Sequence, residues 1–374
     1  MKPDLSPTKS KRRVTGPQAA LIAVLAVIAT KFCTLPSVLT GAAGSKAVWA
    51  ALILVAIELT ILGFALSVAK QGGLSALPIK RGIRVPLFLV FLVFFALKLT
   101  ALSREIASYF ALSLFENVAV LPILILLILT AALLAEKGYG AIGRMLEIVR
   151  GLFLFVILFV LVFTRTEGDL FNALAMLSPD VTGLGEGVLK GAAWFGDGAI
   201  LAFLDLSGES HGEKKARSKV AFAAACASVL IVVTFYAVFT SVYGDAAKMT
   251  DYAFIKLSAF KANADELGSA DWPVIILWSV ISCLYLALLL LSGKECLRAI
   301  GEKEDTGKTR ILSFLLLGGT AAALSSLFLS EEGDYAAFMT GVMKVVTILA
   351  AATTVGVGCY AIGRRKGEKN EKTD

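Results

Sequence analysis

The chain has 374 residues, of which 57% are hydrophobic and 17% are charged, and its formal net charge is +7. A soluble globular domain carries roughly 25% charged residues, so this composition excludes an ordinary soluble enzyme. The sequence contains no phosphate-binding loop, no hydrolase nucleophile elbow and no metal-ligand spacing. We therefore predict neither an enzyme, nor a metal or cofactor site, nor a nucleic-acid partner.

Apolar stretches long enough to cross a bilayer, which takes about 20 residues per helix, recur along the whole chain. They predict an all-α integral membrane protein with about ten transmembrane helices, forming one domain over 17–362 between terminal tails 1–16 and 363–374. The predicted spans run from Pro17 to Thr40, Lys46 to Ala69, Val85 to Phe110, Val118 to Leu134, Met145 to Phe163, Gly187 to Leu206, Ala216 to Tyr243, Trp272 to Leu291, Ile311 to Leu329 and Ala336 to Ile362.

The basic residues are divided unequally between the two sides of these spans. With the N-terminus inside, 26 of the 36 Lys and Arg residues fall on one side, six fall on the other, and four lie within spans. Loops rich in Lys and Arg stay in the cytoplasm. The asymmetry predicts a multi-pass protein of the cell membrane with both termini cytoplasmic.

Ten spans divide into two sets of five, over about 17–164 and 185–362. Because five is odd, the second set enters the membrane from the opposite side, which is the inverted repeat of many secondary transporters. In such folds the first helix of each half is interrupted at mid-membrane. Span 1 contains Pro36, which removes a backbone donor, and span 6 contains Trp194 to Gly198, where two glycines flank an acid. We therefore predict broken helices 1 and 6.

Lys31 and Asp197 each lie at the interruption of their own span. If the two breaks face each other, these charges either bind the carboxylate and ammonium of an amino acid or neutralise each other as a structural pair. Nothing in the sequence pairs the deeper charges Glu58 and Lys98. The residues predicted to line a solute site at the breaks are Lys31, Thr34, Phe195, Gly196, Asp197 and Gly198.

Several short stretches are distinctive beyond their hydrophobicity. They are Arg104-Glu105-Ile106 with Tyr109 and Phe110, Gly140 to Ile148, Asp169 to Asn172, Ser178-Pro179, Gly187 to Asp197, and Trp272 with Trp278. Together they resemble the spore germination permeases, the B subunits of nutrient germinant receptors in the amino acid–polyamine–organocation superfamily. The chain departs from that family at Lys31, where a small or polar residue is usual.

The resemblance implies a ten-helix fold, a germinant pocket between helices 1, 3, 6 and 8, and assembly with A and C subunits in the inner membrane of a spore. Helix 3 would bring Glu105 and Tyr109 to that pocket, and helix 8 would bring Tyr285. The implied function is a receptor subunit that binds a small nutrient, an amino acid or similar polar solute, and triggers germination. A proton-coupled amino acid permease and a non-transporting scaffold for partner subunits are the alternatives, and the sequence does not separate them.

Overall fold

The computed structural model describes residues 14–113, 118–165, 168–177, 181–207, 211–259, 271–301, 307–329 and 332–370. Within these ranges the chain forms fourteen α-helices joined by short 3₁₀, π-helical and irregular segments. They are α1 (Gly16–Ile28), α2 (Leu35–Ala43), α3 (Ala47–Ala69), α4 (Arg81–Ser113), α5 (Val120–Glu136), α6 (Tyr139–Arg165), α7 (Leu170–Ala175), α8 (Leu184–Gly191), α9 (His211–Tyr243), α10 (Ala253–Ala259), α11 (Asp271–Gly301), α12 (Gly307–Phe328), α13 (Glu332–Phe338) and α14 (Lys344–Asn370).

The described helices confirm an all-α membrane architecture. Among the described residues, six helical stretches are long and apolar enough to cross a membrane. The pair α5 and α6, bent by 110°, would make a seventh if it is counted as one span. Each of the ten predicted spans coincides with one helix or with consecutive helical pieces. Spans 1 and 6 are the ones cut into short pieces near their middle, as the sequence predicted. The six stretches are Leu35–Ala69, Arg81–Ala111, Gly212–Met249, Val274–Gly301, Thr309–Phe328 and Asp334–Arg365.

A sharp turn separates α2 from α3, although the two are nearly continuous in sequence. Gly44 adopts φ +54°, a left-handed conformation that favours glycine. A Cβ at Gly191 of α8 would lie 2.7 Å from both Leu39 of α2 and Leu54 of α3. Since residues on both sides of the turn meet one point of α8, α2 and α3 lie side by side.

Aromatic packing fixes the segment after the span 6 break against α4. The Phe203 ring lies 5.5 Å from Phe91 and 5.3 Å from Phe95, in edge-to-face geometry. Phe88 is 6.3 Å away on the same face of α4, one turn earlier. Such pairs add about 0.5–1.5 kcal/mol beyond their burial, so this cluster holds the break in a defined position.

One face of the bundle, here called the terminal face, carries the first described residues and the start of α9. The Val14 amide donates to the Asp205 carbonyl at 3.3 Å, and the Arg217 guanidinium donates to the Val14 carbonyl at 3.3 Å. On the opposite face, α10 lies in the connection between α9 and α11. Residues 1–13, 178–180, 260–270 and 371–374 lie outside the described ranges. The two-repeat division and the cytoplasmic orientation stay predictions.

Candidate functional site

The break in span 1 lies between α1, which ends at Ile28, and α2, which begins at Leu35. Pro36 sits in the first turn of α2, where its missing N–H costs nothing and its fixed φ suits a helix start. The same ring would clash with a helix continuing from the preceding turn. The local sequence thus ends one helix and starts another in the middle of the span.

The break exposes backbone carbonyls in the protein interior, and these need donors from elsewhere in the chain. A tyrosine hydroxyl of α9 and two backbone amides at the start of α10 supply them. The start of α10 therefore contacts the break directly, and Tyr236 bonds the break to α9. The bonds are Tyr236 Oη to Lys31 O at 2.9 Å, Phe254 N to Phe32 O at 2.9 Å, and Ala253 N to Cys33 O at 3.1 Å.

The break in span 6 follows the end of α8 at Gly191. Phe195 is extended, and Gly196 has φ +85°, so the chain reverses its helical hand for one residue. A 3₁₀ segment then runs from Asp197 to Phe203. A Cβ at Gly198 would lie only 3.0 Å from Leu62, so this glycine allows the segment to pack closely on α3.

Four charged side chains meet at the two breaks, and we call them the charge cluster: Lys31, Glu58, Lys98 and Asp197. Their exposed fractions are 0, 0, 2 and 0%. Lys31 Nζ forms an ion pair with Asp197 Oδ2, and Lys98 Nζ lies 3.1 Å from Asp197 Oδ1. Two cations and two carboxylates give the cluster zero formal charge.

Glu58 is held by the backbone of the span 6 break. Its two carboxylate oxygens accept hydrogen bonds from the amides of Gly196 and Gly198. Backbone amides that have no acceptor within a helix can bind an anion, as they do at a helix N-terminus. Here a side chain of α3 occupies that site, so the sequence supplies its own anion.

Further polar contacts surround Asp197. The Thr30 hydroxyl lies 2.9 Å from Asp197 Oδ2, and Lys98 Nζ donates to the carbonyls of Ala193 (3.0 Å) and Phe195 (3.2 Å). The Lys31 ammonium also lies 4.9 Å from the centroid of the Phe195 ring. The Tyr285 hydroxyl is fully buried near Asp197 and has no hydrogen-bond partner of acceptable geometry within the described residues.

A second set of predicted residues lies further toward the opposite face. Glu105 Oε1 accepts hydrogen bonds from the Thr34 amide at 3.1 Å and the Thr34 hydroxyl at 2.7 Å. One helical turn after Glu105, α4 carries Tyr109. Tyr109 belongs to the aromatic group, which we define as Tyr109, Phe110, Tyr252 and Trp278. The Tyr109 ring lies 5.0 Å from Tyr252 and 5.4 Å from Trp278.

Tyr252 has φ +54°, an unfavourable conformation for a residue with a side chain. Its neighbour Asp251 accepts a hydrogen bond from the Ser37 hydroxyl of α2 at 2.7 Å. Strained residues of this kind cluster at ligand-binding and switching sites. The strain therefore marks this loop as a functional candidate, which its sequence did not indicate.

The two sets differ in charge balance. Glu105 is 4% exposed and bonds neutral donors, and among the described residues it has no cationic partner. Lys98 and Glu105 are seven residues apart on α4, so they share a helix face and are separated by about 10.5 Å along the axis. The predicted site residues thus form two separate regions rather than a single group.

The inner region contains Lys31, Phe195, Gly196, Asp197, Gly198 and Tyr285, and the outer region contains Thr34, Glu105 and Tyr109. Lys31 and Asp197 contact each other, which is the arrangement expected of a structural pair. Sequence reasoning missed the partners of Glu58 and Lys98. The available signal was the presence of both deep cations and deep anions, because a charge in a span requires a partner.

No protein-family model matches the chain, and no curated sequence is significantly similar to it. Solved structures do resemble its fold. A manganese transporter mutant from Eremococcus coleocola has a TM-score of 0.57 and 13% identity, covering 96% of this chain and 80% of that one. A Na⁺-coupled sialic acid symporter has a TM-score of 0.57 and 12% identity, covering 92% and 80%. At these identities the likeness shows a shared membrane-transporter fold.

Proposed function

We propose that the chain is a membrane-embedded receptor subunit of the spore germination permease kind, which binds an amino acid or a similar small zwitterion. The observation that carries this proposal is Glu105, a buried carboxylate without a cationic partner among the described residues, beside the aromatic group. An unpaired buried carboxylate is costly, and aromatic faces attract ammonium groups. The ammonium of an amino acid would pair with the Glu105 carboxylate and contact the aromatic faces.

The charge cluster favours sensing over transport. It joins α3, α4 and the two breaks through ion pairs and hydrogen bonds. A carrier that alternates between two openings must move these elements past one another. Separating the pairs would leave buried charges unmatched, at a cost of roughly 3–5 kcal/mol for each. A receptor needs only a smaller change in helix packing around a fixed centre.

The solutes of the structural neighbours cannot be assigned directly to this chain. Among the described residues, no three His, Cys, Asp or Glu side chains are grouped closely enough to hold a metal ion. Lys31 and Lys98 also place two ammonium groups at the breaks. The neighbours support the transporter class, and the chemistry around Glu105 supports an ammonium-bearing solute.

Thermal unfolding of the purified protein with a panel of amino acids tests the proposal. A ligand at 100 times its Kd should stabilise the native state by about 2.7 kcal/mol. N-acetylated analogues, which lack the ammonium, should have no effect. Glu105→Gln should abolish the stabilisation, whereas Glu186→Gln, which changes an exposed carboxylate of α8, should retain it.

Two outcomes would favour the alternatives. A flat response from folded protein would favour the scaffold, which needs no ligand. Accumulation of labelled amino acid in proteoliposomes, driven by a proton gradient, would favour the permease. The receptor predicts binding without accumulation.

The same proposal includes A and C subunits as partners and the inner membrane of a spore as location, with cytoplasmic termini. Co-purification with those subunits from spore membranes tests the assembly. Cysteines introduced at Arg217 and Arg365 should react only from the cytoplasmic side, and one at Lys248 only from outside. Labelling of position 217 from outside would contradict the orientation.

A further inference from the structure

Span 10 changes its helical geometry at one turn. α13 ends at Phe338, Met339–Met343 form a π turn, and α14 begins at Lys344. Such turns are rare, and they occur frequently at functional sites. Neither a proline nor close packing accounts for this one, because the segment contains no proline and a Cβ at Gly341 would meet no atom within 4 Å. The π turn is therefore a candidate functional feature.

The helical piece before the π turn contacts the outer region. The Tyr335 hydroxyl of α13 interacts with the Glu105 carboxylate and with the Thr34 hydroxyl, two groups that also bond each other. It is a further neutral donor beside Glu105, and the sequence did not indicate it. Of residues 334–338, three are exposed and none is fully buried. α13 is thus held in place by few side chains besides Tyr335.

The helical piece after the π turn contacts the inner region instead. The Thr347 hydroxyl lies 3.5 Å from the Ala193 carbonyl, and a Cβ at Gly196 would lie 3.0 Å from Thr347 Cγ2. The π turn itself packs against Ala192–Trp194 and against α4. Its two methionine side chains are buried, and methionine adapts readily when its neighbours shift. Span 10 therefore connects the outer region to the span 6 break, with an adaptable turn between them.

We propose that Tyr335 is the ligand-sensing residue of the outer region: an ammonium that binds Glu105 displaces the tyrosine hydroxyl, and α13 then moves about the π turn. This inference rests on the receptor function proposed above. Glu105 Oε1 already accepts two hydrogen bonds from Thr34, so the ammonium and the Tyr335 hydroxyl compete for the lone pairs that remain. The ammonium adds an ionic attraction that a hydroxyl lacks, so it replaces the hydroxyl.

The π turn gives this movement a defined geometry. Converting it to an ordinary α turn removes one residue from the turn and rotates α13 by about 100° relative to α14, the angle of one residue in an α-helix. That rotation turns Tyr335 away from Glu105. Thr347 lies beyond the turn and keeps its contacts with the span 6 break. Ligand binding thus changes the position of α13 while the charge cluster stays in place.

Hydrogen–deuterium exchange of the full chain in detergent tests this coupling without any ligand. Tyr335→Phe should raise exchange over 332–343 roughly tenfold, because it removes a hydroxyl that bonds a charged group, and should leave α14 unchanged. The matched control is Tyr360→Phe, which removes a hydroxyl 3.4 Å from the Pro78 carbonyl near the other end of span 10. That variant should leave 332–343 unchanged. Equal exchange over 332–343 in Tyr335→Phe and wild-type protein would overturn the proposal.

The second part of the experiment adds an equimolar mixture of the twenty standard amino acids, with the N-acetylated mixture as control. The free amino acids should raise exchange over 332–343 in wild-type protein to the level of Tyr335→Phe, and should raise it no further in the variant. The variant should also bind more tightly, since it lacks the competing hydroxyl, whereas loss of a merely structural contact would not increase affinity. Weaker binding by the variant would overturn the proposal.

The wild-type measurements separate this inference from the receptor function. A rise in unfolding temperature with unchanged exchange over 332–343 would overturn the role of Tyr335 and leave amino acid binding intact. No rise in unfolding temperature and no change in exchange would overturn both. Because this comparison uses wild-type protein, it holds even if Tyr335→Phe does not fold.

Discussion

The inner charge cluster and the outer region around Glu105 place carboxylates in equally buried positions but treat them differently. Asp197 is matched by two lysines, and Glu58 is matched by two fixed amides. Glu105 receives hydrogen bonds from Thr34, which carries no charge. The difference teaches that charge balance, more than burial, separates a structural polar centre from a candidate ligand site.

Removing one charge from the cluster should have the largest effect. Asp197→Asn leaves Lys31 and Lys98 facing Glu58 alone, and Lys31→Met leaves an excess of negative charge. Each should cost about 3–5 kcal/mol of stability. The double variant leaves Lys98 and Glu58, which balance, so much of the stability should return. Unfolding of the two single variants and the double variant measures this coupling.

The exposed ion pair Glu186–Lys190 serves as the control for that cycle. Its atoms are 2.6 Å apart, but its side chains are 58% and 45% exposed. Exposed pairs contribute about 0–1 kcal/mol, so both single substitutions there should be nearly neutral. Strict additivity at Lys31 and Asp197 would show that they do not act as a pair, and the inner region would lose its structural assignment.

A smaller loss is expected from Gly196→Ala, which tests the backbone that presents amides to Glu58. Its left-handed φ of +85° costs a residue with a Cβ about 1–2 kcal/mol. The added methyl group would also lie 3.0 Å from Thr347 Cγ2. Gly151→Ala on α6, where a Cβ meets no other atom within 4 Å, should be neutral or stabilising. Equal effects of the two substitutions in chemical denaturation would argue against a strained break.

Both breaks could be predicted because their causes are local in the sequence. Pro36 and the glycines around Asp197 disfavour a continuous helix wherever they occur, and the apolar runs predict where the long helices lie. The sharp turn at Gly44 is harder to predict, because the glycine itself is the only local sequence feature that indicates its φ of +54°.

The contacts of the site could be predicted only in part. The positions of Lys31 and Asp197 at matching breaks predicted that they could share a site, with ligand binding and mutual neutralisation both left open. Glu58 and the Gly196 amide are 138 residues apart, and only the folded packing of α3 joins them. Glu105 and Tyr109 are predicted site residues because of the family resemblance, not because of their spacing in the sequence. The strain at Tyr252 depends on how its loop packs against span 1, so the local sequence does not predict it.

Glu105→Gln should change stability by less than about 1 kcal/mol, in contrast to Asp197→Asn. The glutamine carbonyl can still accept from Thr34, and the substitution removes a buried charge that has no cationic partner among the described residues. Loss of amino acid binding without loss of stability would sharpen the comparison between the regions. A destabilisation as large as that of Asp197→Asn, measured in the same unfolding assay, would show that Glu105 is structural.

Replacing Na⁺ by K⁺ at constant ionic strength should have the smallest effect. In the charge cluster, the Lys31 and Lys98 ammonium groups already supply two positive charges beside Asp197, and the glycine amides hold Glu58. A bound cation there would add unmatched positive charge to a fully buried, neutral centre, which is unfavourable. We therefore expect amino acid affinity to differ by less than about twofold between the two salts, a free-energy difference of about 0.4 kcal/mol. Titration of the same protein preparation in each salt, followed by unfolding temperature, measures the ratio. A tenfold preference for Na⁺ would indicate a coupling ion and contradict the assignment of the inner region as a structural centre.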